Sequence, residues 1–234
     1  MMNNKYIIIT GASSGIGKAI AIQAAKNGFN LILSGRNSAN LDATTKICKE
    51  HKVKVINVYG DITDSSIQEK IIDAVKNKKE LFALVNSAGI GRFGDPANLS
   101  DEMLDEMFNV NVKAMFSLSR EVIKIKNGKN FLNIINISSD CDNVAFPDAT
   151  AYCATKGGVL MMSKAFGLAV RKDNVRVTCI SPGRVDTYFN NKKPGMRIGA
   201  LMPEEVAEVV MFAITAHKNI ELQEIRIDSM SRTW

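Results

Sequence analysis

Short β-branched runs alternating with helix-length amphipathic stretches constrain this chain more than any other feature of its sequence. Tyr6–Thr10, Leu31–Ser34, Val53–Val58, Leu81–Asn86, Phe131–Ser138, Val175–Ser181 and Leu222–Ile227 read as strands, and helical patterns fill the intervals. A strand that follows a helix-length crossover returns in the same direction as the one before it, with a right-handed connection in nearly all cases. The expected fold is therefore α/β, a doubly wound parallel sheet of about seven strands with helices on both faces. Such sheets bind ligands at the carboxyl ends of their strands, where the connection order reverses. Residues at strand ends therefore carry the functional reading. A length of 234 residues, 46% apolar and 23% charged, suits one domain spanning 1–234 and leaves little room for a second.

Several function classes fall away on composition. No apolar run approaches the ~18 residues that a membrane span needs, and the N-terminus enters a strand without a signal-like apolar region, so a cytoplasmic location is expected. Cys48, Cys141, Cys153 and Cys179 lack CxxC spacing, and His51 and His217 are the only histidines, so neither a disulfide framework nor a metal site is expected. The net charge of +6 is spread over dispersed lysines rather than gathered into a stripe, which argues against nucleic acid as a partner.

The first strand ends at Thr10, and Gly11-Ala12-Ser13-Ser14-Gly15-Ile16-Gly17 leads into a helical pattern over Lys18–Asn27. Glycines let the chain turn tightly and let a helix N-terminus approach a pyrophosphate, whose charge is stabilised by free N–H groups and the helix dipole. Ser13 and Ser14 can add hydroxyl donors. A tight connection without a ligand is the bland alternative, but the position at the first strand–helix junction favours a dinucleotide. About 20 residues on, where an acid would bind the ribose 2′-hydroxyl of NAD, the chain has Gly35 followed by Arg36. A missing acid and a present guanidinium both point to the 2′-phosphate of NADP(H) in preference to NAD(H). Asp61 and Ile62, after the third strand, can bracket the adenine; equally, Asp61 can cap the helix beginning near Asp64.

Between Asp148 and Arg171 the chain reads as one helix carrying Tyr152 and Lys156 at i, i+4 spacing, on one face. A phenol near pKa ~10 holds its proton too tightly for efficient transfer at neutral pH, and neighbouring cations, Lys156 and a cationic nicotinamide ring, are expected to lower that value. The strand Phe131–Ser138 sets Ser139 at a carboxyl edge, where a hydroxyl can orient a substrate carbonyl. Asn111 lies in the helical stretch Asp101–Lys124 and can order a proton-relaying water, although a satisfied structural amide is a fair alternative.

Taken together these residues resemble the short-chain dehydrogenase/reductase family, with its Rossmann-type sheet, from about Tyr6 to Ile227. The motifs occur in order: Thr10-Gly11…Gly15-Ile16-Gly17, Asn86-Ser87-Ala88-Gly89, Asn111, Ser139, Tyr152…Lys156 and Pro182-Gly183…Thr187. The resemblance implies Tyr152 as general acid/base, Lys156 lowering its pKa and gripping the nicotinamide ribose, Ser139 holding the substrate oxygen and Asn111 supporting a proton relay. It further implies that Asn86, Ala88 and Gly89 touch the cofactor and that Pro182, Gly183, Val185 and Thr187 flank its nicotinamide end.

Departures from the family pattern refine these expectations. Ser87 replaces the second asparagine of the usual Asn-Asn-Ala-Gly, and the stretch after Ile227 lacks the glycine pair common there. Only fifteen residues, 188–202, lie where the family places its substrate lid. A short lid suggests an open pocket for a small ketone, aldehyde or dicarbonyl, and the chain looks like the compact microbial alcohol dehydrogenases and carbonyl reductases of the family. The expected reaction is reversible NADPH-dependent reduction of a small-molecule carbonyl. A 3-oxoacyl-[acyl-carrier-protein] reductase and a non-catalytic NADP-binding regulator are the alternatives. By resemblance the chain forms a homodimer or homotetramer through the helices around Asp101–Lys126 and Tyr152–Arg171. Met103, Met107, Met161 and Met162 suit that face, or equally the protomer's own core.

Overall fold

The computed structural model describes residues 4–232, apart from the side chain of Asn191. Seven strands form one sheet: β1 (Tyr6–Thr10), β2 (Asn30–Gly35), β3 (Val55–Tyr59), β4 (Leu81–Asn86), β5 (Leu132–Ile137), β6 (Val175–Pro182) and β7 (Glu224–Ile227). Their order is β3-β2-β1-β4-β5-β6-β7, and every neighbouring pair is parallel. The connection order reverses between β1 and β4, which opens a crevice at their carboxyl ends. β3 and β7 each begin two residues later than the apolar runs around them suggest. Before β3, Lys52 turns the chain with φ +61°, so Val53 still belongs to that turn.

Side chains alternate across the sheet because the strand period is two. Ile7 and Ile9 join a core beneath α1 (Gly15–Lys26), α2 (Ser38–Lys49) and α7 (Pro203–Thr215), while Ile8 faces α3 (Ser65–Ala74), α5 (Met115–Ile125) and α6 (Thr150–Val170). Apolar burial on both faces explains why the central strands are continuous Ile/Leu/Val runs rather than alternating patterns.

The single helix expected over Asp101–Lys124 is not uniform. An α-helix, α4 (Asp101–Phe108), passes into a π-helical segment, Asn109–Ala114, and then into α5. The wider turn holds Asn111 fully buried beside the sheet, and π segments of this kind commonly mark functional sites. Of the four methionines considered for a subunit face, Met107 is fully buried and Met162 packs against an interior cluster, whereas Met103 and Met161 are exposed.

One buried cation pins the far end of the fold. Arg176 on β6 donates to Asn133 Oδ1 at 2.8 and 3.1 Å, and to the carbonyls of Ala213 (2.6 Å), Ala216 (3.3 Å), His217 (3.2 Å) and Ile220 (2.9 Å). A guanidinium with five donors suits a helix C-terminus, where orphan carbonyls and the negative end of the dipole gather. All four cysteines are unpaired, and no cluster of His, Cys, Asp or Glu among the described residues could hold a metal. No helix among the described residues is long and apolar enough to cross a membrane.

Candidate active site

The floor of the crevice is built from two turns in close contact. Gly11 leaves β1 at φ +67°, and a Cβ there would lie 2.9 Å from the Ala88 backbone. A Cβ on Gly17 would run into the Gly11 carbonyl. Only glycine permits this approach of α1 to the strand end. Thr10 Oγ1 joins the two turns by accepting from the Ser87 and Ala88 N–H groups, both at 3.1 Å. Ser14 caps α1 without a side-chain bond to the helix, and the first turn carries no acid, so the N-terminal N–H groups and the Ser13 and Ser14 hydroxyls suit an anion. Gly15 and Ile16 begin the helix, and Thr187 leans over Gly15, its Cγ2 3.2 Å from where a Cβ would stand. This cradle, which side chains at 11 and 17 would fill, fits the pyrophosphate of a dinucleotide.

At the adenine end, Gly35 is buried against Ser13, and an added Cβ would lie 3.1 Å from both Ser13 Cβ and Oγ. Arg36 is largely exposed, with Nη1 3.5 Å from Asp61 Oδ2. Asp61 Oδ1 accepts from the Thr63 N–H and hydroxyl, while Asp64 caps α3 by accepting from Ser66 N, so capping is not the task of Asp61. Desolvation works against the Asp61 charge, but the bonds from Thr63 and the Arg36 charge outweigh it and lower the pKa. Ile62 is buried below, its carbonyl accepting from Gln68.

The chemical groups gather at the carboxyl end of β5. Lys156 is buried, its Nζ donating to the Ile137 carbonyl at 3.0 Å and lying 5.6 Å from the centroid of the Tyr152 ring. Burial lowers the Lys156 pKa from 10.5 to about 8. A Cβ on Gly89 would lie 3.4 Å from Asn111 Oδ1 and 3.8 Å from Lys156 Nζ, so these three groups meet. Ser139 heads the short turn Asp140–Asp142; its hydroxyl donates to Asp140 Oδ1 at 2.9 Å and accepts from Cys141 N at 3.3 Å.

Three expectations need correction. The lowering of the Tyr152 pKa is expected from Lys156 together with a cationic nicotinamide ring, and the protein's own groups do not supply it. Burial pushes the phenol up, Cys141 adds to the rise, and only the hydrogen bond with Ser139 opposes it. Lys156 addresses the phenol ring and an interior carbonyl instead. Second, of the two readings of Asn111, the hydrogen bonds favour the structural amide. Its Oδ1 accepts from Ile90 N (2.9 Å), and its Nδ2 donates to Ile90 O (2.9 Å) and Thr155 Oγ1 (3.1 Å), which is the satisfied structural amide. Third, the Asn86 side chain is buried in the sheet, donating to Ser119 Oγ (3.0 Å) and Asn136 Oδ1 (2.9 Å) rather than facing a ligand.

At the opposite wall, Pro182 ends β6, and Gly183 N donates to Ile227 O at 2.8 Å. Val185 is buried and bridges Leu201, with Asp186 N donating to Leu201 O and Leu201 N to Arg184 O, both at 2.8 Å. This short ladder closes the base of segment 188–202. From that segment Phe189 reaches Tyr152, ring centroids 5.7 Å apart, and Phe93 approaches from the loop after β4 at 5.2 Å. Phe93 and Phe189 meet edge to face at 6.1 Å, so two rings cover the phenol. Sequence reasoning missed both; an isolated phenylalanine in the glycine-rich stretch 89–94 was the available signal. An open groove of ≈ 960 Å³ runs instead from Arg36 and Asp61 to Lys113 and Arg120, and neither Tyr152 nor Ser139 lines it.

A family model described as short chain dehydrogenase matches residues 5–197. The chain belongs to the short-chain dehydrogenase family. Among its relatives, this short-chain dehydrogenase is 33% identical over 226 residues to the 3-oxoacyl-[acyl-carrier-protein] reductase of Thermotoga maritima, covering 90% of each chain. It is 30% identical over 228 residues to the sepiapterin reductase of Chlorobaculum tepidum, covering 94% of this chain and 93% of the relative. Among solved structures it resembles an alcohol dehydrogenase from the archaeon Thermococcus sibiricus complexed with 5-hydroxy-NADP, with TM-score 0.89, 27% identity and 98% of each chain covered. L-Sorbose reductase from Gluconobacter frateurii, complexed with NADPH and L-sorbose, gives TM-score 0.86 at 27% identity, with 98% of this chain and 97% of that one covered. This short-chain dehydrogenase is accordingly an NAD(P)-dependent oxidoreductase.

Proposed function

We propose that this enzyme is an NADPH-dependent carbonyl reductase in which Tyr152 is the general acid/base. The observation that carries the reading is the meeting of the Tyr152 phenol, the Ser139 hydroxyl and the buried Lys156 ammonium at the end of β5, across the crevice from the glycine turn. When bound, the reduced nicotinamide supplies the hydride. The chain's own residues then have the following work. Gly11, Ser13, Ser14, Gly15, Ile16 and Gly17 hold the pyrophosphate; Ala88, Gly89, Pro182, Gly183, Val185 and Thr187 line the path to the nicotinamide end; Lys156 holds the ribose beside it. Ser139 turns its proton from Asp140 to the substrate oxygen. Tyr152, whose burial keeps the phenol protonated, would deliver its own phenolic proton to that oxygen, while Ser139 keeps the proton it donates as a hydrogen bond. Lys156, titrating near 8, stands where it can return a proton toward the phenolate. Segment 188–202 acts as a short lid whose base is clamped at Val185 and Leu201.

The preference for NADPH rests on residue 35 and its neighbours. An acid at 35 would press on Ser13, its Cβ 3.1 Å from the Ser13 Cβ and Oγ, so the position that would select a free 2′-hydroxyl is tight, while the exposed Arg36 suits a 2′-phosphate. A second reading, 3-oxoacyl-[acyl-carrier-protein] reductase, is favoured by the 33% identity to the Thermotoga maritima enzyme and by the net charge of +6, which suits an acidic carrier.

Oxidation of NADPH and of NADH, followed by absorbance over ketones, aldehydes, diketones and acyl thioesters, tests the reading. Turnover with NADPH is expected, falling at least ~100-fold in Tyr152→Phe while cofactor affinity holds. Preference for acetoacetyl thioesters would move the enzyme to the second reading, and turnover only with NADH would refute the role of Arg36. Tight NADPH binding with no turnover anywhere would leave a cofactor-binding regulator.

A further inference from the structure

After β7, residues 228–232 return to the turns that follow β5 and β6. The Asp228 carboxylate crowds Gly183, and the Ser231 carbonyl lies 2.5 Å from where a Cβ on Gly199 would stand, so this segment touches both the nicotinamide-end turn and segment 188–202. Arg232 then turns inward. Its side chain is almost fully buried, its guanidinium carbon 6.0 Å from the centroid of Phe146. Its Nη1 donates to Asp140 Oδ2 at 2.8 Å and to Asp228 Oδ2 at 2.5 Å. Asp140 in turn accepts the Ser139 hydroxyl on its other oxygen at 2.9 Å. The terminal segment is thus two hydrogen bonds away from the hydroxyl that meets the substrate.

That hydroxyl has one proton to donate. Given to Asp140, it cannot hold a carbonyl oxygen; the reductase reading requires it to turn. An uncompensated carboxylate one residue away would hold the proton by a charge-assisted bond, roughly twice as strong as a neutral one. It would also place a bare negative charge beside the phenol, whose pKa the Asp140 charge already raises. Arg232 counters both effects by engaging the far oxygen of the same carboxylate.

Resting on the reductase reading, we propose that Arg232 is a positioning residue: by neutralising Asp140 it frees the Ser139 hydroxyl for the substrate oxygen. The charged and titratable groups facing Tyr152 are Asp140 and Cys141 from the turn after β5, Cys153 and Lys156 on α6, and Arg197 from segment 188–202. Arg232 reaches this set through Asp140.

The test uses the best carbonyl substrate found for the enzyme, its alcohol product, and four proteins: wild type, Arg232→Met, Arg232→Lys and Arg232→Met with Asp140→Asn. In Arg232→Met, kcat for reduction is expected to fall roughly tenfold with NADPH affinity unchanged, as one charge-assisted hydrogen bond in a reaction coordinate commands. The pH of half-maximal alcohol oxidation is expected to rise. Arg232→Lys should recover part of the rate. The double variant should recover most of it and return the pH profile, because an amide at 140 no longer captures the proton by charge. A merely structural anchor behaves otherwise: removing the Asp140 charge cannot re-seat a loosened tail, so failure of the double variant to recover overturns the proposal, as does an unchanged kcat in Arg232→Met. A wild type that turns over no carbonyl overturns the reductase reading and this inference with it, whereas an active wild type with indifferent variants overturns the inference alone.

Discussion

Lys156 is the residue whose burial is easiest to weigh in solution. The folded chain lowers its pKa from 10.5 to about 8, so between those values the unfolded chain binds the extra proton and stability rises with pH. Below about 8 the full cost of burying the ammonium is present, ~3 kcal/mol at most; above 10.5 it is gone. Urea unfolding of the cofactor-free protein and of Lys156→Met at neutral pH and near pH 10 should show the wild type gaining about 2 kcal/mol on the variant. A flat difference would mean that the ammonium is not desolvated. The subtraction matters because Cys48, raised to about 11 by burial, pulls the wild-type curve the opposite way. Single residues also mark the limit of what sequence can say. Tyr152, Lys156 and Ser139 stand out in the sequence as a set because their types and spacing suit the proposed chemistry. Where each polar atom points was not: Asn86 and Asn111 bond to partners 50 and 21 residues away along the chain, and no local pattern announces such bonds.

At the level of elements, the sheet was readable because burial on two faces writes itself as uninterrupted apolar runs. The strands β1 and β4 have the expected ends, and α6 lies within the expected stretch. The π segment at Asn109–Ala114 was not readable, since an α-helix and a π turn present nearly the same apolar spacing over six residues. Nor was the anchor at the end of α7, where a lone arginine in a strand, Arg176, gains its meaning from four carbonyls 37 to 44 residues later. Arg176→Met should strip these bonds from Asn133 Oδ1 and the four carbonyls, of which His217 O keeps the Ile220 N–H, and lower stability by ~3 kcal/mol, read as a lower urea midpoint with an unchanged slope. Arg176→Lys should recover only part, because an ammonium cannot span acceptors spread around a guanidinium's plane. A loss under ~1 kcal/mol would show that water replaces the guanidinium at the helix end.

For the whole molecule, one group of exposed apolar side chains lies on the helices that the family resemblance marks for pairing, and another lies in segment 188–202. Leu104 and Phe108 on α4, Phe116 on α5, and Met161 and Leu168 on α6 all face solvent in the single chain. Phe116 rests edge-on against Phe166 at 5.5 Å, and Arg120 lies over its other side, so its position is set. Sedimentation equilibrium should find the wild type as a dimer or tetramer, and Phe116→Asp should shift it toward monomer with the same circular dichroism. A monomeric wild type would mean that these side chains serve some other contact. The two rings beside Tyr152 also bear on access. Phe93 and Phe189 stand 5.2 and 5.7 Å from the phenol ring, so that side of it is walled by apolar surface. Under the carbonyl reductase reading, a substrate that meets the phenol does so beside two phenylalanines, and its carbon skeleton bears on its fit as much as its oxygen does.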